Sequence, residues 1–211
     1  MKTRHSILAV LALLFSVTLF TACGSDDDDK GTQPAPAATR SYAAVYHYFT
    51  VSGDLLDYFN VDIIIDNARD ESGKITTAQI TKRVDKDNLA STGTYEVGQI
   101  TALPGTLTVS RKVTLKEGVD YDNISSLNFV VGHSYKYGYL DSKGGVIDNK
   151  MYNGVSSNQR VSASTPQAVQ NVVQRVRDGK FDMKTRTYSF DKNGEWASAN
   201  TEDETNEGEA E

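Results

Sequence analysis

Cysteine occurs once in this chain, at Cys23, so no internal disulfide can brace the fold. A lone thiol in an exported protein stays open to oxidants unless some chemistry consumes it. Histidine is nearly as scarce, with only His5, His47 and His133, and no pair stands at the spacing of a local zinc motif. A Gly-x-Ser-x-Gly elbow, a phosphate loop and a His-Glu-x-x-His helix are all missing, and so is a second thiol to act as nucleophile. Basic clusters are missing too: 22 Lys and Arg face 28 Asp and Glu, a net charge of −6. An acidic surface repels phosphate backbones, which argues against a nucleic-acid partner. These absences point to a binding protein rather than an enzyme. A small glycan-acting hydrolase stays open, because paired carboxylates from distant strands leave no local signature. A structural assembly component is a third class.

What the chain does have begins at its N-terminus. Lys2 and Arg4 form a positive start, and Ile7 to Phe20 an apolar run interrupted by Ser16 and Thr18. That run is short of the roughly 20 residues of a spanning helix, so residues 1–22 read as a cleaved signal peptide. The segment Leu19-Phe20-Thr21-Ala22-Cys23 resembles a lipobox, with Phe20 where Leu is usual. The resemblance implies that Cys23 becomes the acylated N-terminus, an anchor firmer than a single acyl chain would give. Cleavage removes Lys2 and Arg4 and takes the net charge from −6 to −8.

Behind the cysteine come Gly24, Ser25 and the run Asp26, Asp27, Asp28, Asp29. Adjacent like charges on a flexible chain repel and do not converge on a cation without an imposed fold, so metal binding is disfavoured. Asp-Asp-Asp-Asp-Lys is also an enteropeptidase site, but its place directly behind a lipobox argues against an engineered tag. Cys-x-Ser followed by acids resembles the surface-export signal of Bacteroidota lipoproteins. That resemblance implies an outer-membrane protein, lipid-anchored and facing outward. Residues 23–40, with Pro34 and Pro36 among Ala and Thr, complete a flexible tether. Residues 201–211 hold six acids and nothing apolar larger than Ala, the composition of a disordered tail.

Residues 41–200 suit a single domain, and their periodicity is mostly that of strands. Leu107, Val109, Val113 and Leu115 alternate with Thr106, Thr108, Ser110, Lys112, Thr114 and Lys116, a half-buried strand. Phe59, Val61, Ile63 and Ile65 alternate with Asn60, Asp62 and Asp66. Gly53-Asp54 between two apolar runs predicts a hairpin, as do Ser142 to Gly145 and Asp191 to Gly194. Ile75–Val84 reads as a strand with Ala78, Ile80 and Val84 on one face, and 94–103 as a weaker strand. One helix is expected: Thr165 caps it, Pro166 opens it, Ala168, Val169, Val172, Val173 and Val176 make its apolar stripe, and Gly179 closes it. The fold expected is mainly β, an antiparallel β-sandwich, immunoglobulin-like or related, with one helix in its C-terminal half.

Asp54-Leu55-Leu56-Asp57-Tyr58-Phe59-Asn60-Val61, the Ser72-Gly73-Lys74 turn, Leu103-Pro104, Lys112-Val113-Thr114-Leu115-Lys116 and the tyrosine-rich strand before Gly144 carry a wider resemblance. Over roughly residues 40–150 the chain is similar to small uncharacterised surface lipoproteins of the Bacteroidota. These motifs are structural punctuation, and they imply a fold but no assigned activity.

The candidate site residues lie on one strand. His133 is in phase with Phe129, Val131, Tyr135, Tyr137 and Tyr139, and His47 with Val45, Phe49 and Val51. On apolar strand faces both histidines read first as core or rim residues, with haem ligation by His133, aided by Met151 or Met183, as the functional alternative. No other cofactor or metal is implied. Tyr135, Tyr137 and Tyr139 offer a row of rings on which sugars could stack, although tyrosine is also an ordinary strand residue. Trp196 either joins that platform or plugs the core. Asp191 to Glu195 has a calcium-loop look but lacks an acid at the third position, so a hairpin turn is preferred. The expected partners are the membrane, through the anchor, and a glycan or protein outside the cell.

Overall fold

The computed structural model describes residues 39–69, 74–147, 152–154 and 157–199. The expected signal peptide, Cys23, Ser25 and Asp26 to Asp29, Met151 and residues 201–211 lie outside these residues. The strands are β1 (Tyr42–Gly53), β2 (Phe59–Ile65), β3 (Ala68–Arg69), β4 (Ile75–Thr76), β5 (Ile80–Val84), β6 (Thr94–Ala102), β7 (Gly105–Leu115), β8 (Leu127–Leu140), β9 (Tyr152–Asn153), β10 (Ser157–Ala163), β11 (Met183–Phe190) and β12 (Trp196–Ala199). Two helices, α1 (Leu55–Tyr58) and α2 (Pro166–Arg177), interrupt them.

One sheet runs β10-β8-β1-β6, with β9 paired to β8, and the other runs β12-β11-β7-β2-β5. Every pairing is antiparallel. The two sheets pack face to face as a β-sandwich, and the alternation explains why. Odd-numbered residues of β1 (Ala43, Val45, His47, Phe49, Val51) and of β2 (Phe59, Val61, Ile63, Ile65) are all buried, and each strand has one face to hide.

That demand overturns the hairpin expected at Gly53-Asp54: β1 and β2 lie in opposite sheets. Leu55 and Leu56 are both buried, which a two-residue turn in a flat ladder does not permit. The chain instead turns an apolar corner through α1. Gly53 has φ 67°, and a Cβ there would sit 2.1 Å from the Asn128 carbonyl oxygen, so only glycine fits. Asp54 closes the corner, its backbone N–H donating to Asn128 O at 3.0 Å and its carboxylate accepting the Asn128 N–H at 2.8 Å.

The continuous strand expected over 75–84 is also broken. β4 pairs with β3 in a small separate ribbon, Ala78 is exposed, and only Ile80 and Val84 turn toward the core. The two later hairpins are present and share one device. Asp141 Oδ1 accepts the N–H of Lys143 and of Gly145, each at 2.8 Å. Asp191 Oδ1 accepts the N–H of Asn193 and of Glu195, again at 2.8 Å. These carboxylate oxygens are occupied by their own turns, as Asx turns require, which accounts for the calcium-loop look of 191–195.

The helix α2 forms as its ends dictate. Thr165 Oγ1 accepts the Ala168 N–H at 3.2 Å, and Pro166 opens the first turn. At the other end Gly179 has φ 67°, its N–H donates to Val176 O at 3.0 Å, and Lys180 N–H donates to Arg175 O at 2.9 Å, a Schellman closure. Val169, Val172, Val173 and Val176 are buried, and Gln170 ties the helix to the short 3-10 turn Tyr121–Asn123 through Tyr121 O at 2.8 Å.

Candidate functional site

The interior between the sheets is not purely apolar. A chain of side-chain hydrogen bonds runs through it from the end of β2. Asp66 accepts from Thr108 twice, at 2.7 Å from the backbone N–H and at 2.7 Å from Oγ1. Gln99 Nε2 points at three acceptors: Asp66 O at 2.6 Å, Thr108 O at 2.8 Å and Asp66 Oδ1 at 3.0 Å. An amide nitrogen so placed must be the donor, so Gln99 Oε1 is what faces His47 Nε2 at 2.7 Å. His47 therefore carries its proton on Nε2. His47 Nδ1 meets His133 Nε2 at 3.0 Å, and with a bare Nδ1 on His47 the donor is His133 Nε2–H. His133 Nδ1 is left as a lone pair, buried and without a partner among the described residues.

Both imidazoles are held well below the ordinary histidine range, chiefly by burial; His47 falls to about 4 although its bond to Gln99 opposes the shift. A charge on His47, and those of Arg186 and Arg111, further disfavour a proton on His133. Arg111 of β7 is itself buried, and desolvation lowers it to about 10. Its guanidinium is satisfied by carbonyls: Nε and Nη2 donate to Phe181 O at 3.2 and 3.0 Å, and Nη1 to Gly132 O at 3.1 Å, across to the other sheet.

The structure brings the sequence-predicted residues together on the inner side of their sheet, with His133 and Tyr139 buried and Tyr135 and Tyr137 half-buried against the core. Tyr135 stacks on Trp196 at 5.8 Å and 10° and meets Tyr188 edge-on at 4.9 Å. Tyr137 is covered on two sides, by Tyr152 at 4.9 Å and by Trp196 at 4.7 Å. Tyr139 is buried beneath Arg40, whose guanidinium lies 4.1 Å from the ring centre, and burial pushes its phenol up to about 12. These rings already stack on one another, so they form an inner aromatic cluster, with Trp196 packed into it, in place of the open sugar platform expected of them. Haem ligation by His133 does not fit either. Its Nε2 is bound, its ring is packed by Phe49 at 4.7 Å and His47 at 5.3 Å, and it is 1% exposed. Met183 is likewise part of the core.

The outer face of the β8-β1-β6 sheet carries a different set of tyrosines. Even-numbered Tyr42, Tyr46 and Tyr48 of β1 point away from the core and are half-buried. Registration sets Tyr46 beside Gly98 of β6 and Lys136 of β8, and Ala44 beside Ile100 and Gly138. Gly98, Ala44 and Gly138 present little side chain on this face, beside the larger Ile100 and Lys136. Ala44, Ile100 and Leu140 form a second apolar cluster, on which Tyr42, Tyr46, Ile75 and Val146 pack. The Lys136 ammonium lies 5.6 Å from the Tyr48 ring centre, and burial, then the charge of Glu96, raises the Tyr48 phenol. A cleft of about 430 Å³ adjoins this face, lined by Tyr42, Ile75, Ile100, Lys74 and the Ser142-Lys143-Gly144 turn. A further cleft, of about 380 Å³, is lined by charges such as Asp57 and Lys86, which pair with each other.

The sequence signal that could have found the outer face is the even parity of Tyr42, Tyr46 and Tyr48 against His47 and Phe49. Period alone does not say which of two tyrosine sets faces in. Compared with known proteins, the chain matches no family model, no curated protein and no solved structure.

Proposed function

We propose that this chain is a lipid-anchored, non-enzymatic binding domain that presents the outer tyrosine face of β1 to a glycan outside the cell. The reading rests on Tyr42, Tyr46 and Tyr48 lying along one central strand, each with a small residue (Ala102, Gly98 or Ser134) on one side. The row spans roughly 20 Å of extended strand, room for several sugar rings side by side. Tyrosine suits such a surface because each ring combines an apolar face with a hydroxyl at low entropic cost. The neighbouring cleft adds an apolar floor and polar rim beside Tyr42. Acylation at Cys23 would hold the domain at the outer membrane, and Asp26 to Asp29 would direct it outward, as in the small Bacteroidota surface lipoproteins it resembles.

The test is affinity electrophoresis of the full-length protein, in detergent, through gels containing starch, xylan, galactomannan or mucin glycans. Retardation by at least one polysaccharide is expected, and Tyr46→Ala or Tyr48→Ala should weaken it by about 1–3 kcal/mol, the range for truncating an aromatic anchor. Equal mobility in every gel, or retardation that survives the double change, would reject the reading.

A further inference from the structure

The buried histidine pair has no part in that surface, yet its geometry is unusual for a sandwich core. Asp66 and Thr108 belong to one sheet's side of the molecule, and Gln99, His47 and His133 to the other, so the hydrogen-bond chain joins the two layers. Its tautomers are dictated from the Asp66 end, as derived above. No carboxylate touches either imidazole among the described residues. Asp66 reaches His47 only through the Gln99 amide.

We propose that the His47–His133 pair, on neighbouring strands of one sheet, is the acid-sensitive part of a clasp that reaches the other sheet through Gln99, one that holds while both rings are neutral and opens when they take up protons. A proton on His133 Nδ1 would sit in the core with no acceptor at hydrogen-bond distance among the described residues. A proton on His47 Nδ1 would face the His133 Nε2–H at 3.0 Å, donor against donor, unless His133 gives up that tautomer. Two protons cannot be accommodated by any tautomer of the pair. The surroundings add to the cost. Arg111 of β7 and Arg186 of β11 both act on His133 as like charges, while Tyr135 of β8 and Tyr188 of β11 pack their rings against the pair as neutral phenols. Asp182 acts on Arg111 and engages the Val113 N–H at 2.7 Å.

The sign follows from linkage. The folded form binds these protons less readily than the unfolded chain, whose histidines titrate near 6.5, so stability is full above about pH 6.5 and falls as pH drops below it. With two histidines the folding equilibrium constant should fall by up to about 100-fold per pH unit. Ordinary carboxylates titrate lower, so the interval from about pH 6.5 to 5 isolates the histidine effect.

The experiment measures urea unfolding of the full-length protein, in detergent, at steps between pH 7.5 and 5. The expected result is a steep loss of stability below pH 6.5, roughly halved in logarithmic slope by His133→Gln, which keeps an N–H for His47 but takes up no proton. Should that variant fail to fold, nitrogen-15 NMR of the unmodified protein decides, since it reads the imidazoles directly. It should show both rings neutral with protons on Nε2 down to the acid transition. Stability that is flat from pH 7.5 to 5, an unchanged slope in the variant, or a folded-state histidine titrating near 6.5 would each overturn the clasp.

Discussion

The two faces of β1 carry the same kinds of residue toward opposite ends. On the inner face His47, Phe49 and, from the neighbouring strand, Tyr135 have their polar atoms and ring faces committed to other side chains. On the outer face Tyr42, Tyr46 and Tyr48 rest on a thin apolar cluster or beside Lys136, and they are half-buried. A ring enclosed by other rings contributes to holding the sheets together, whereas a ring against one layer keeps area to offer a partner. The contrast assigns stability to the inner face, and the proposed function places recognition on the outer one.

The sharpest way to break that contrast is to remove an inner ring. Phe129 is 1% exposed and meets Phe59 at 5.8 Å and Phe181 at 5.6 Å, both edge-on. Phe129→Ala should cost about 3–5 kcal/mol in urea unfolding, since the cavity cannot collapse between two sheets. Next comes Gln99→Ala, which leaves His47 Nε2–H without its acceptor at 2.7 Å and Thr108 O with only the long bond from Asp66 N–H at 3.4 Å. A loss of about 2–3 kcal/mol is expected at pH 7.5, and a loss below about 0.5 would mean the chain carries little. On the outer face, Tyr48→Ala should change stability by no more than about 1 kcal/mol while weakening glycan retention. The smallest effect is expected at Tyr188, whose buried hydroxyl has no well-formed hydrogen bond among the described residues. Tyr188→Phe should change stability by about 1 kcal/mol or less, because it removes a poorly met polar group without removing the ring. Arg186 bears on that phenol as a nearby cation and as a weak side-chain donor, opposing the burial that raises it.

Much of the sandwich was legible because one-sided burial imposes a two-residue period, as in Leu107, Val109 and Val113 of β7. Helix α2 was legible from its ends, Thr165 with Pro166 and Gly179. The β1–β2 corner was not, because Gly-Asp reads alike in a hairpin and in a crossing between sheets, and only the burial of Leu55 with Leu56 separates them. Arg111 breaks the odd-numbered apolar row of Leu107, Val109 and Val113 in the sequence, yet it stands inside with them because two backbone carbonyls of other elements receive it. The candidate site was the least legible part. Its residues were sought on β8, one of two strands with three tyrosines, and that strand turned its rings toward the core. Gln99, whose amide sets both histidine tautomers, lies on a strand with weak alternation and gave no signal of its own.

Residue-resolved oxidative footprinting of the full-length protein, with and without the polysaccharide that retards it, bears most directly on the division between the two faces. Protection on binding should fall on Tyr46 and Tyr48, with Tyr135, Tyr137 and Tyr139 unchanged. Protection of the inner tyrosines, with Tyr46 and Tyr48 unchanged, would contradict the account.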